Sequence, residues 1–110
     1  MAIQFYNTLT KHKEEFTPQE KGVVRMYNCG PTVYDYFHIG NARNFVVVDT
    51  VRRYLKFRGY QVRFAQNFTD IDDKIIKRSQ ERGEQWDKLA ERYTAEYFRT
   101  ADALGITEDE

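Results

Sequence analysis

The stretch that decides the fold is residues 22–66, which reads GVVRMYNCGPTVYDYFHIGNARNFVVVDTVRRYLKFRGYQVRFAQ. Residues 22–27 form a short apolar run that begins at a glycine, which predicts a buried strand. Over residues 39–57 apolar side chains return at steps of three and four, which predicts a helix, and residues 60–66 predict a second strand. This order is typical of a βαβ unit with parallel strands and a right-handed crossover.

The segments on either side of this unit are predicted to be shorter elements. Residues 3–9 predict a strand, and the polar stretch 11–21, which holds a proline, predicts a loop. After the second parallel strand, Asp70 is expected to cap a helix with Asp73 as its capping-box acid. That helix is expected to run to about Arg82, where Gly83 follows.

A last helix is predicted over residues 84–104, with Gly105 at its end. Its apolar residues fall on one face, and the simplest interpretation of that stripe is core packing. The stripe consists of Trp86, Leu89, Ala90, Tyr93, Tyr97, Ala101 and Leu104. The fold class is therefore α/β, with a parallel βαβ unit followed by two helices.

Composition sets limits on the class of protein. The chain has 110 residues, 41% of them apolar, with one Trp, eight Tyr and eight Phe, which indicates a folded domain rather than a disordered segment. No apolar run approaches the roughly 20 residues of a membrane helix, and the amino terminus lacks the pattern of a signal peptide. The one cysteine, Cys29, excludes a disulfide framework within the chain and favours a reduced, cytoplasmic setting.

Charge is balanced over the whole chain but not along it. Residues 1–69 hold ten basic and five acidic residues, whereas residues 70–110 hold seven basic and twelve acidic residues. A basic first half favours a ligand that carries phosphate, although solvated helix faces explain the same charges. The net charge of zero argues against a free-standing, nonspecific nucleic-acid binder.

The residues most suited to chemistry lie between the first parallel strand and the helix. In an open α/β sheet, ligands bind beyond the carboxyl ends of the strands. His38, Gly40 and Asn41 fall at the predicted helix N-terminus, where free N–H groups and the helix dipole favour an anion. The side chains of His38 and Asn41 are able to donate to one phosphate, and Gly40 lets a flat group approach the backbone. A capping role for His38 is an equally good interpretation of the spacing.

Two other positions are expected at the same sheet edge. Cys29 follows the first strand directly, and its thiol fits a small core residue, a zinc ligand or a nucleophile. Thr69 follows the second strand and is able to hydrogen-bond a small polar ligand. The aspartates that come next, at 70, 72 and 73, suggest either a divalent metal or an acidic helix start, and the helix start is the simpler explanation.

At this point the chain resembles a known family. Met26 to Asp35 (MYNCGPTVYD), His38 to Arg43 (HIGNAR) and Asn67 to Arg78 (NFTDIDDKIIKR), together with the opening FYNTLT, resemble the amino-terminal end of the cysteinyl-tRNA synthetase family. The three long blocks stand in the order and spacing of that family, from about residue 3 to residue 106.

The resemblance implies a class I aminoacyl-tRNA synthetase with a Rossmann-type catalytic domain, of which residues 1–110 would be the first, incomplete part. It implies an ATP-dependent ligase that activates cysteine, with Mg²⁺, and esterifies tRNA(Cys). The family's roles fall on matching positions. Cys29 would be the first ligand of a zinc that binds the substrate thiolate, Gly30 and Thr69 would line the cysteine pocket, and His38, Gly40 and Asn41 would hold ATP and act in catalysis.

The chain departs from the family pattern in two ways. Asn41 stands where the commonest class I signature has a second histidine, so a donor is kept but a charged contact is not. The further zinc ligands, the Lys-Met-Ser-Lys-Ser loop and an anticodon-binding region are absent from these residues. We therefore expect the 110-residue chain by itself to be inactive or nearly so, and to bind zinc only weakly.

Two alternatives remain open on the sequence. One is a cysteine ligase of thiol biosynthesis, which shares the fold and motifs but joins cysteine to an amino sugar. The other is a non-catalytic half-domain that interacts with a partner through an unpaired sheet edge.

Overall fold

The computed structural model describes residues 2–106, so the predicted domain over residues 1–110 extends at both ends, at Met1 and at residues 107–110, outside the described residues. The elements follow the order β1 (Gln4–Asn7), β2 (His12–Glu15), β3 (Val23–Asn28), α1 (Ile39–Phe57), β4 (Gln61–Gln66), α2 (Asp73–Arg82) and α3 (Trp86–Ala103).

The βαβ unit is confirmed. Strands β3 and β4 pair in parallel, from Val23 opposite Gln61 to Asn28 opposite Gln66, and α1 connects them with the bounds that the apolar spacing predicts. The helix ends where it was expected to, because Gly59 adopts a φ of +93°, a conformation that side chains strongly disfavour. Within residues 2–106 this sheet has two strands, so most of each outer edge carries no strand partner.

The prediction of a loop over residues 11–21 is wrong in part. His12–Glu15 forms β2 and pairs antiparallel with β1, from Gln4 opposite Glu15 to Asn7 opposite His12. An exposed hairpin strand is stabilised by its backbone ladder and does not need the apolar residues by which buried strands are recognised. Phe16 then contacts both Phe5 and Tyr60 edge to face, at ring-centroid distances of 5.5 and 6.0 Å, and joins the hairpin to the residue that precedes β4.

The start of α2 also differs from the prediction. The N-cap is Asp72, whose carboxylate accepts a hydrogen bond from the Lys74 N–H at 2.9 Å, and not Asp70. Thr69 is still paired with Thr32 in an isolated parallel bridge, so the chain bends only at Ile71, and the helix begins after an extended Asp72. That pairing depends on a residue far away in sequence, so local spacing does not reveal it.

Two clusters of buried side chains form the core. One joins α2 and α3 to the segment before α1 and consists of Val33, Ile75, Leu89, Ala90 and Tyr93. The other joins α1 to α3 through Phe45, Tyr97 and Ala101, with Phe37, Phe68, Phe98 and Ile106 packed against it. The predicted core stripe of α3 is confirmed from Leu89 to Ala101, whereas Trp86 and Leu104 at its ends are 42% and 46% exposed.

The helices leave no candidate for a bilayer crossing: none of those in residues 2–106 is both long enough and apolar enough to span a membrane.

Candidate active site

Two connecting segments leave the sheet at the carboxyl ends of its parallel strands. The first junction, residues 29–38, leads from β3 to α1, and the second junction, residues 67–72, leads from β4 to α2. They remain hydrogen-bonded beyond the ladder: the Thr69 N–H donates to the Pro31 carbonyl at 3.0 Å, and the Val33 N–H donates to the Thr69 carbonyl at 3.1 Å. Because ligands bind at this edge in open α/β sheets, the two junctions define the candidate site.

The first junction is attached to the protein body at three points. Val33 is buried in the core, and Phe37 contacts Phe45 edge to face with ring centroids 5.3 Å apart. Between them Asp35 accepts a hydrogen bond from the Arg78 guanidinium at 2.8 Å, both side chains being about one-third exposed. These contacts fix a connection that holds no helix or strand of its own.

His38 caps α1 and does so in a way that leaves donors available. Its Nδ1 accepts a hydrogen bond from the Gly40 N–H at 3.0 Å, while the Asn41 Oδ1 accepts one from the His38 N–H at 3.3 Å. With Nδ1 as acceptor, the neutral imidazole carries its proton on Nε2. The Nε2–H of His38 and the amide hydrogens of Asn41 are therefore free of this capping pattern, and both residues are exposed.

The capping and phosphate-binding interpretations of His38 are thus compatible. The cap uses only acceptor atoms of the two side chains, and a phosphate needs only donors. The first turn of α1 contains no acidic residue, so the positive end of its dipole is not neutralised locally. This end of α1 is chemically suited to an anion.

Gly30 lies where a side chain has no room. A Cβ built on it would meet the Asn67 carbonyl oxygen at 1.8 Å, far inside van der Waals contact. Its N–H donates to the Asn67 Oδ1 at 2.7 Å. The two junctions therefore touch backbone to backbone at Gly30, next to Cys29.

Cys29 is exposed, with its thiol 3.8 Å from the Gly30 carbonyl oxygen, so the interpretation as a core residue is wrong. An exposed thiol after a strand suits zinc, which prefers thiolate sulfur. Zinc takes four ligands, however, and no group of three or more His, Cys, Asp or Glu residues able to hold a metal occurs among residues 2–106. Cys29 alone would offer one donor to such a site and cannot form it by itself.

The predicted site residues fall into two hydrogen-bonded groups. His38, Gly40 and Asn41 form one at the start of α1, while Cys29 and Gly30 belong to the other, with Asn67. Thr69 is half-buried and is held beside the second group by its backbone bridge to Thr32.

The sequence did not predict the role of Asn67, although an Asn directly after the second parallel strand was a signal for it, because such a side chain readily bonds backbone groups.

A groove of about 1080 Å³ lies elsewhere, between α1, β4 and α3, among residues that include Arg52, Phe64 and Phe98. Arg52 is buried there and pairs with Asp49 at 2.8 Å. Neither His38 nor Gly30 lines this groove, so the hydrogen-bonded groups and not the groove define the candidate site.

Comparison with solved structures bears on the fold of the chain. A solved structure described as Mycobacterium tuberculosis methionyl-tRNA synthetase in complex with methionyl-adenylate aligns with a TM-score of 0.75 at 22% sequence identity, over 80% of this chain and 17% of that chain. At that identity the likeness shows the fold alone, which is the Rossmann-type fold of class I synthetases.

The family follows from sequence. Residues 15–110 match the family model described as tRNA synthetases class I (C) catalytic domain. Two curated relatives are named cysteine--tRNA ligase: that of Symbiobacterium thermophilum is 67% identical over 106 residues, and that of Clostridioides difficile is 60% identical over 104 residues. The matches cover 96% and 94% of this chain and 22% of each relative. The chain belongs to the class I (C) tRNA synthetase family and spans about a fifth of the length of these relatives.

Proposed function

We propose that this chain is the amino-terminal part of a cysteine--tRNA ligase, which activates cysteine with ATP and transfers it to tRNA(Cys). The observation that carries the proposal is the cap of α1, in which His38 and Asn41 use their acceptors internally and keep donors for a phosphate. The relatives named cysteine--tRNA ligase support the choice of amino acid and of final acceptor.

In the proposed activation step, the carboxylate of cysteine attacks the α-phosphorus of ATP. A bond forms between the carboxylate oxygen and phosphorus, and the bond from that phosphorus to the pyrophosphate oxygen breaks. His38 and Asn41 would bind the phosphates through their side-chain N–H groups and stabilise the charge that develops there, and Gly40, which has no side chain, would let the nucleotide approach the start of α1, with Mg²⁺ accompanying the nucleotide. No nucleophile of the protein is required.

The substrate cysteine would lie at the second group. Gly30, whose missing side chain lets the Asn67 backbone come close, lies beside Cys29, and Thr69 lies on the other junction. Cys29 would hold zinc together with ligands from outside the described residues. When bound, zinc would supply a site that prefers a thiolate to the hydroxyl of serine. We place the enzyme in the cytoplasm, where its tRNA is found.

The proposal is tested by cysteine-dependent exchange of labelled pyrophosphate into ATP, measured with the full-length enzyme. We expect exchange with cysteine and not with serine, followed by charging of tRNA(Cys). His38→Ala should lower the exchange rate about 100-fold or more, as expected for loss of a donor to a charged transition state.

The matched control is His12→Ala, which removes the chain's other histidine from the exposed hairpin and should leave exchange unchanged. An enzyme that exchanges pyrophosphate with cysteine but charges an amino sugar in place of tRNA would contradict the proposal. So would a full-length protein with no cysteine-dependent exchange.

A further inference from the structure

The pairing between the two parallel strands is interrupted by one extra residue. The ladder ends at Asn28 opposite Gln66, and pairing resumes at Thr32 opposite Thr69. Between these points residues 29–31 face residues 67–68, so three residues on one side lie opposite two on the other. One extra residue on one side resembles the mismatch of a β-bulge, a feature found preferentially next to active sites, and we call residues 29–31 the bulge.

A bulge disturbs the ladder and leaves a backbone donor without its usual carbonyl partner. Here that donor is the Gly30 N–H, and the Asn67 side chain accepts its hydrogen bond at 2.7 Å. The residue on the other side of Cys29 is held as well, because Asn28 Nδ2 donates to Gln66 Oε1 at 3.3 Å. Cys29 is therefore exposed between two neighbours that β4 and the second junction hold in place.

The hydrogen bond between Asn28 and Gln66 continues into the core through a second hydrogen bond of Gln66. Gln66 Nε2 donates to the hydroxyl of Tyr97 at 2.7 Å. Tyr97 is 7% exposed and contacts the rings of Phe45 and Phe68 edge to face, with centroids 5.3 and 5.0 Å apart. Because the tyrosine is fixed by its aromatic neighbours, it gives Gln66 a rigid point of attachment on α3.

We propose that Asn67 and Gln66 are positioning residues that hold the bulge of residues 29–31, and with it Cys29 and Gly30, in the geometry that binds the substrate amino acid. Neither residue lies at the start of α1, where the phosphates would bind. The inference rests on the proposed function. It predicts that these two amides affect the binding of the amino acid and not the binding of ATP.

The test compares the Michaelis constants for cysteine and ATP in full-length enzyme carrying Asn67→Ala. We expect the KM for cysteine to rise at least about tenfold, because small displacements of a binding group have large effects on productive geometry. The KM for ATP should stay within about twofold. Asn67→Asp, which keeps an acceptor for the Gly30 N–H, should restore most of the affinity for cysteine.

The matched control is Asn7→Ala. Asn7 Oδ1 accepts a hydrogen bond from the Leu9 N–H at 2.9 Å in the hairpin, so the same kind of bond is lost far from Cys29. It should leave both Michaelis constants unchanged. Hydrogen exchange followed by mass spectrometry should show faster exchange of the peptide containing Gly30 in Asn67→Ala and not in Asn7→Ala.

Equal changes in both Michaelis constants, or no change in either, would overturn the proposal. If the Asn67→Ala variant does not fold, the Tyr97→Phe variant tests the proposal instead. It removes only the hydroxyl that accepts a hydrogen bond from Gln66 and keeps the ring. We expect it to raise the KM for cysteine severalfold, and an unchanged value would overturn the proposal. Failure of the proposed function would be distinguishable, because the wild-type enzyme would then show no cysteine-dependent exchange.

Discussion

The two junctions at the carboxyl edge of the sheet solve the same structural problem with different chemistry. Each must begin a helix and satisfy its first N–H groups. The first junction does this with the neutral pair His38 and Asn41, whereas the second uses the carboxylate of Asp72, with Asp73 in the first turn of α2. The negative charge at the second cap neutralises the positive end of the dipole, and the first cap leaves it available.

The difference shows that a helix N-terminus at this sheet edge is not enough to make an anion site. The capping residues decide whether donors and positive potential remain after the helix has formed. In α1 they remain, and in α2 they are consumed by aspartate. The second junction instead acts on the first, through the contact of Asn67 with Gly30.

The largest effect is expected when the first cap is converted to the second kind by His38→Asp. Aspartate is a strong N-cap, so the thermal stability should be equal or higher. Pyrophosphate exchange should nevertheless fall about 1000-fold, because a donor is lost and a negative charge faces the phosphates. Retained activity would mean that α1 does not bind phosphate.

The second-largest effect is expected for Gly30→Ala, which should lower pyrophosphate exchange about 100-fold because it displaces the first junction. The new Cβ would meet the Asn67 backbone oxygen, which lies 1.8 Å from its ideal position, so some backbone must move. Overpacking of this kind costs about 1–3 kcal/mol of stability, measured by denaturant unfolding. Adding Asn67→Ala should not rescue the variant, because the clash is with backbone and not with the side chain.

Asn41→Ala should lower exchange about tenfold. It removes the neutral donor and also the acceptor for the His38 N–H, so α1 should lose about 1 kcal/mol of stability as well. Asn41→Asp separates the two roles: it keeps the acceptor and should restore stability, but not activity. Recovery of both would show that Asn41 is only a capping residue.

The smallest effect on activity is expected at the second cap. Asp72→Ala should cost about 1 kcal/mol of stability, because the Lys74 N–H loses its partner, while exchange stays within about twofold. Asp70→Ala is the matched control, since Asp70 is exposed and lies two residues before the cap, and it should leave both quantities unchanged. A large loss of activity in Asp72→Ala would show that pyrophosphate exchange depends on the cap of α2 as well as on the cap of α1.

Much of this architecture follows from local sequence. The βαβ unit and the bounds of α1 result from apolar spacing and from Gly59, and both are properties of neighbouring residues. The positions of Gly30, His38, Gly40, Asn41 and Thr69 at the sheet edge follow in turn, because the ends of elements place them there. Hairpin strand β2 was missed, since its stability comes from pairing with β1 and not from its own side chains.

The sequence by itself thus determined the βαβ unit, its parallel order and the edge that holds the candidate site, since periodicity and glycine act over a few residues. Tertiary structure alone decided that Cys29 is exposed, that Asp72 rather than Asp70 caps α2, and that Asn67 supports Gly30. The last two depend on contacts between the two junctions, Thr32 with Thr69 and Gly30 with Asn67, and each of these pairs is 37 residues apart in the chain. Local patterns do not by themselves fix such contacts, because these form only when the two strands have paired in register.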